Sequence, residues 1–220
     1  MSDLAKTLAG KFVVLDGPDG SGKSTQLLLL RDHLTGLGAE VECVRDPGGT
    51  AVGDKIRQIL LDRGNRRLTA TCEMMLFMAS RAQLVAERIK PALQAGKVVL
   101  CDRFISATVA YQGASGIAAE TIIEIGEAAV EGLWPDLTIV LDVPAEVGLR
   151  RAGQRQDRTG GKTDRMETRK LSYHRAVRRN FKQLQECYPR PVAHVRANRD
   201  AKAVFQDVLA ELERAFPGRA

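Results

Sequence analysis

Long apolar runs are missing from this chain. No stretch approaches the roughly 20 consecutive apolar residues that a membrane-spanning helix needs. Residues 1–10 also lack the basic start and extended apolar segment of a secretory signal. Cysteine is scarce: Cys43, Cys72, Cys101 and Cys187 stand far apart, with no C-x-x-C pair. That spacing argues against a disulfide framework or a thiolate metal site and for reduced cysteines in a cytoplasmic protein. Repeats and low-complexity linkers are absent as well, which leaves a single domain over residues 1–220 as the expected organisation. Hydrophobic residues at 44% and charged residues at 27% are ordinary for a globular protein of this length.

Charge of one sign is unevenly placed. The formal net charge is +6. Residues 150–182 alone contain twelve Lys or Arg against three Asp or Glu, so the remainder is slightly acidic. No run of interleaved aromatics accompanies these cations and no nucleic-acid fold signature appears, so a nucleic-acid patch is the weaker reading. Part of the segment, 169–182, reads as a solvated helix face.

What the chain does have is one complete phosphate-cradle pattern. Gly17-Pro18-Asp19-Gly20-Ser21-Gly22-Lys23-Ser24 satisfies G-x-x-x-x-G-K-[ST] at every fixed position, and Thr25 follows. An apolar run rich in β-formers, Phe12-Val13-Val14-Leu15, precedes it. Leu27, Leu28, Leu30 and Leu34 follow at helical spacing. Strand, glycine loop and helix together make a polyphosphate site, because backbone N–H groups and the positive end of the helix face the anion. Lys23 is expected at the β- and γ-phosphates and the Ser24 hydroxyl on Mg²⁺.

Five strand-like runs, 11–16, 41–45, 98–102, 137–143 and 192–195, alternate with helical stretches. That alternation predicts a doubly wound, five-stranded parallel sheet with helices on both faces. Ligands bind such sheets beyond the carboxyl ends of the strands. Three polar clusters fall at strand ends and are expected to converge there: Asp16-Gly17, Arg45-Asp46 and Asp102-Arg103. A long helix is expected over 68–95, capped by Thr69 or Thr71, ended by Gly96 and interrupted at Pro91. Residues 153–163 read as a polar, glycine-bearing lid loop between helices at 145–151 and 164–186.

An acidic residue at a strand end, Asp102, suits Mg²⁺ or an attacking oxygen, and Arg103 beside it suits a second phosphate. Asp46-Pro47-Gly48-Gly49 also fits the D-x-x-G of switch GTPases. It lies too close behind the cradle, however, and no guanine-reading N-K-x-D follows; Asn198-Arg199-Asp200 is a partial echo. Phe77 and Arg81 are four apart on one helical face, where an aromatic can stack on a base while the arginine reaches its edge.

Taken together, five segments resemble the thymidylate kinases: 16–25, 45–50 (RDPGGT), 76–83 (LFMASRAQ), 102–112 (DRFISATVAYQ) and 141–144 (LDVP). Two positions depart from the usual pattern. Asp46 stands where the family has glutamate, and Phe104 where it has tyrosine or histidine. The resemblance implies a P-loop kinase fold and transfer of the γ-phosphoryl of ATP to dTMP. Another nucleoside monophosphate kinase, or a nucleotide-dependent switch, are the competing readings. The resemblance also assigns roles. The cradle residues Gly17, Pro18, Asp19, Gly20, Ser21, Gly22, Lys23, Ser24 and Thr25 hold ATP, with Ser24 and Asp102 on Mg²⁺. Asp19 faces the acceptor's 3′-hydroxyl and orients Arg45. Arg45 and Arg103 hold the dTMP phosphate, Phe77 stacks on thymine, and Arg81 reads its edge. Thr108 and Gln112 complete the base pocket and Tyr111 packs on the deoxyribose. Because Gly20 leaves the cradle without an arginine, the catalytic cation is expected from the lid at about 152–165, with Arg155 and Arg158 foremost. A homodimer is implied by the resemblance alone.

Overall fold

The computed structural model describes residues 3–65, 67–159 and 165–218, the side chains of 155–159 excepted. In chain order its elements are α1 (Asp3–Leu8), β1 (Phe12–Asp16), α2 (Lys23–Gly36), β2 (Val41–Arg45), α3 (Ala51–Leu61) and α4 (Ala70–Leu84). A π-helical turn (Val85–Ile89) leads into α5 (Lys90–Gln94), β3 (Val98–Asp102), α6 (Ile105–Tyr111), α7 (Ala119–Val130) and β4 (Leu137–Asp142). The chain then runs through α8 (Ala145–Thr159), α9 (Leu171–Gln183), β5 (Val192–Arg196) and α10 (Ala201–Ala215).

The five strands form one parallel sheet in the order β2-β3-β1-β4-β5. All five were legible as β-rich runs. Strand alternation divides the core into two layers. Phe12 and Val14 of β1 face one layer, packed with Met74, Met78, Phe104, Val177 and Phe181. Val13 and Leu15 face the other, with Leu8, Leu30, Leu34, Val208 and Leu212. Every residue of β1 is buried, as the central strand of a sheet covered on both faces must be.

The expected helix at 68–95 is realised as a continuous run of three pieces. Thr69 caps it, its side chain accepting from Cys72 N at 3.2 Å. Pro91 has no N–H to give to the carbonyl of Glu87. The wider π turn at Val85–Ile89 absorbs that mismatch and lets α5 restart with the proline in its first turn. Gly96, at φ 75°, ends the run.

Two helix expectations are corrected. The loop expected at 153–163 is helical up to Thr159, as the end of α8. A lone Gly153 costs a helix only about 1 kcal/mol, and the Gln and Arg residues after it are good helix formers. Conversely, the helix expected from 164 begins only at Leu171, with turns before it. There Arg165 is spent elsewhere: its N–H donates to the Leu61 carbonyl and its Nε to the Leu60 carbonyl at 3.1 Å.

Candidate active site

The strand register brings the polar clusters to one edge. Arg45 of β2 pairs with Asp102 of β3, Leu15 of β1 pairs with the same Asp102, and Asp16 lies opposite Val140 of β4. Beyond these ends opens a pocket of about 690 Å³. The cradle residues Asp19–Gln26 and Asp102 line it. So do Arg45, Phe77, Arg103, Thr108, Tyr111 and Gln112. A phosphate cradle, the arginine pair Arg45 and Arg103 and an aromatic wall therefore share one cavity.

The cradle loop wraps between β1 and α2. Gly20 holds φ 71°, and a Cβ there would run into the backbone carbonyl of Gly148 in α8. No side chain, arginine included, fits at position 20 without moving a helix. Lys23 is nearly buried and donates to the carbonyls of Gly17 and Pro18, both at 3.0 Å, and to Ser21 Oγ at 3.4 Å. Burial and the Arg103 charge push its pKa down to about 8, against the pull of Asp102, Asp19 and Asp16. Ser24 Oγ donates to Asp102 Oδ2 at 3.0 Å, so two hard oxygen donors meet at the foot of the cradle.

Arg103 is the hinge between the two halves. Its backbone takes φ 72°, unusual for a residue with a side chain and held here by its partners. Nη1 donates to Asp16 Oδ1 at 3.2 Å and the Gly17 carbonyl at 3.0 Å. Nη2 donates to Asp19 Oδ1 at 2.5 Å and Tyr111 Oη at 3.2 Å. Four of its five N–H donors thus face protein groups. The guanidinium also lies over the Tyr111 ring, 5.0 Å from its centroid. Burial pushes the Asp19 carboxyl up, but Arg103 and Lys23 more than offset that and hold it below its usual range. Asp16, fully buried, accepts from Ser106 Oγ at 2.5 Å and from Gly17 N at 2.8 Å, fixing the start of the loop.

On the far wall, Phe77 is half-buried at the pocket and Arg81 lies one layer behind it. Arg81 is 1% exposed, with Nε on Asp46 Oδ2 at 2.6 Å and Nη2 on the Phe104 carbonyl and Thr108 Oγ1, each at 3.1 Å. The shared helical face expected for Phe77 and Arg81 is therefore split in depth: Phe77 and Thr108 line the cavity, and Arg81 braces Thr108 from below. The short, buried Asp46 side chain is the partner of this buried cation. Arg45 is exposed, 3.9 Å from Asp54.

The side chains of Arg155 and Arg158, expected in a lid at about 152–165, lie outside the described residues, as do residues 160–164 altogether. Arg151 lines the pocket and donates to the Ala197 carbonyl at 3.0 Å. Arg165 is buried against Glu73.

Three residues escaped the sequence reading. Arg57 of α3 lines the pocket and donates to the Pro47 carbonyl at 2.9 Å; nothing in its helix distinguishes it from a surface arginine. Arg199 lines the same pocket, as do Ala197 and Ala201. Glu73 is wholly buried and accepts from Nε2 of the pocket-lining Gln112 at 2.6 Å. A lone carboxylate at a core position of an apolar helix was its available signal.

Comparison with known proteins places these features in a family. The thymidylate kinase family model matches residues 15–208. The thymidylate kinase of Geotalea uraniireducens (strain Rf4) is 47% identical over 182 residues, which is 82% of this chain and 85% of the relative. That of Symbiobacterium thermophilum is 41% identical over 209 residues, 94% of this chain and 95% of the relative. That of Clostridium novyi (strain NT) is 39% identical over 205 residues, 93% and 98% of the two chains.

Proposed function

The chain belongs to the thymidylate kinase family, and from that membership we propose that its pocket transfers the γ-phosphoryl group of ATP to the 5′-phosphate of dTMP, giving dTDP and ADP for dTTP synthesis. The observation that carries the reading is the single cavity itself. Its cradle end suits a triphosphate, and its other end offers Arg45, Arg103 and an aromatic wall to a nucleoside monophosphate. A switch protein has no use for that second end.

In this reading, Gly17–Thr25 hold ATP through backbone N–H groups, and Lys23 leaves the Gly17 and Pro18 carbonyls for the β- and γ-phosphates. The Ser24 hydroxyl and the Asp102 carboxylate are hard oxygen donors of the kind Mg²⁺ takes and would hold it beside the triphosphate. Bound there, Mg²⁺ would neutralise charge on the triphosphate. Asp19 holds Arg103 and faces the sugar, Arg45 and Arg103 take the acceptor phosphate, and Phe77 stacks on thymine. Arg81 acts on the base edge through Thr108, and Gln112 and Tyr111 close the pocket around base and deoxyribose. The dTMP phosphate oxygen attacks the γ-phosphorus in line and the β–γ bridging oxygen leaves with ADP. Two polyanions must approach, so the protein's contribution is orientation and positive charge.

The end of α8 and the segment up to 165 form the lid in this reading, and Arg155 and Arg158 are its candidate cations. A homodimer is supported by Val52 and Ile59 on α3 and Met75 on α4, large apolar residues exposed on two helices that pack on each other. A cytoplasmic location is supported by four free cysteines and by no helix among the described residues being long and apolar enough to cross a membrane.

A coupled ADP-release assay over all nucleoside monophosphates tests the reading. Preference for dTMP is expected. Preference for AMP, GMP or CMP, or slow ATP hydrolysis indifferent to any acceptor, would overturn it.

A further inference from the structure

Glu73 is a buried carboxylate on α4 that the proposed reaction does not use. It is 0% exposed, and three side chains from two other parts of the chain converge on it. Gln112, the residue after α6, donates Nε2 to Glu73 Oε1 at 2.6 Å. Arg169 donates Nη2 to Oε2 at 3.1 Å, and Arg165 donates Nη2 to the same oxygen. Arg165 and Arg169 flank the turns that follow the lid segment, and Arg169 also donates to Ser115 Oγ at 2.9 Å, just beyond Gln112. The two guanidinium groups balance the charge that burial would otherwise forbid.

The chemistry of the third contact is more specific. An ionised carboxylate only accepts, so the amide of Gln112 must turn its NH₂ to Glu73 and keep its carbonyl oxygen for the other side. Gln112 lines the same cavity as Phe77 and Thr108. We propose that Glu73 is a positioning residue for base selection: it locks the Gln112 amide so that an acceptor, not a donor, is offered to the base, and it ties that orientation to the segment after the lid. Thymine carries an N3–H that this acceptor can take. Cytosine carries a bare N3 there, which it repels. The inference rests on the dTMP reading above and adds to it the device that selects the base edge.

The test is a double-mutant cycle on the full-length protein. Glu73→Gln keeps the shape but can accept or donate, so the Gln112 amide is free to turn. The KM for dTMP should rise by about 10-fold, the worth of one hydrogen bond, while kcat and the KM for ATP move less than about 3-fold. The kcat/KM preference for dTMP over dCMP should shrink by a similar factor. Gln112→Ala alone should give the same dTMP-specific loss, and adding it to Glu73→Gln should cost nothing further. Should Glu73→Gln not fold, Glu73→Asp keeps the charge for both arginines, draws it away from Gln112 and should show the same selective loss. Effects that add in the double mutant, or a Glu73 variant whose kinetics change only through lost thermal stability, would overturn the proposal. So would an unchanged dTMP KM in Gln112→Ala. Wild-type enzyme without dTMP activity would instead overturn the function on which the proposal stands.

Discussion

Lys23 sits where a cation is poorly solvated, and that has a measurable consequence. Its pKa in the folded protein is about 8, against an ordinary 10.5. The folded state thus disfavours the charged form. The resulting penalty on stability is fully present below pH 8 and lifts as pH rises from 8 towards 10.5. A polyphosphate supplies the missing counter-charge and raises the pKa again, so ATP binding near pH 8.5 should take up a proton, and affinity should fall as pH rises above about 8. Calorimetry in two buffers of different ionisation heat measures this; identical apparent enthalpies would refute it. Lys23→Ala should lower turnover by about a hundredfold or more, the scale of one strong transition-state contact. Near-normal turnover in a folded variant would remove Lys23 from its assigned place. At the other wall, Phe77→Ala should weaken dTMP binding by roughly 1–3 kcal/mol, the worth of one stacked base, and leave ATP affinity alone. A lower melting temperature with unchanged dTMP affinity would make Phe77 a packing residue only.

Two elements touch with no side chain between them. The cradle and α8 meet at Gly20 and Gly148: a Cβ on the first would strike the Gly148 carbonyl, and a Cβ on the second the Asp19 carbonyl. Gly148→Ala therefore has to push the Asp19 peptide or shift α8. Overpacking of this kind costs roughly 1–3 kcal/mol, so a melting temperature lower by several degrees is expected, with weaker ATP binding because the displaced backbone is the cradle itself. ATP affinity and stability both at wild-type values would show that the contact yields freely. This contact was hidden in the sequence, because neither glycine falls in a turn that links the two elements. The strands β1, β3 and β4 were legible because strands covered on both faces are largely apolar, the edges β2 and β5 because of their valines, and the cradle because its spacing is fixed by phosphate geometry. The lengths of α8 and α9 were misread for two different reasons. A single glycine is a weak stop, and the late start of α9 follows from a tertiary commitment of Arg165 that no local pattern records. The burial of Arg81 was not legible, since its partner Asp46 lies 35 positions away.

Across the whole molecule, charge and topology combine at α8. The chain's net positive charge is concentrated in residues 150–182, and α8 enters that segment with its first turns anchored on the cradle through Gly148. Arg151 already lines the pocket. Arg155 and Arg158 follow it by four and seven residues on the same helix, a spacing that places all three positions on one face. Arg165 is already committed to Glu73, so in the proposed reaction Arg155 and Arg158 are the first positions to test for a cation that reaches the γ-phosphate. Such an arginine acts on charge that develops only in the transition state, so its loss should lower turnover and leave both ground-state affinities in place. A single arginine finger can be worth 10³–10⁵-fold. With Arg151 on the same face able to compensate in part, about 10²-fold or more is expected for the effective residue. Arg155→Ala, Arg158→Ala and the double variant, each measured for turnover and for ATP and dTMP affinity, separate the outcomes. A turnover loss without a loss of affinity assigns the cation. A parallel loss of both makes the residue a binding group. Wild-type turnover in the double variant would show that the catalytic cation is elsewhere, with Arg151 next to be tested, whose contact with the Ala197 carbonyl would then have to break during the reaction.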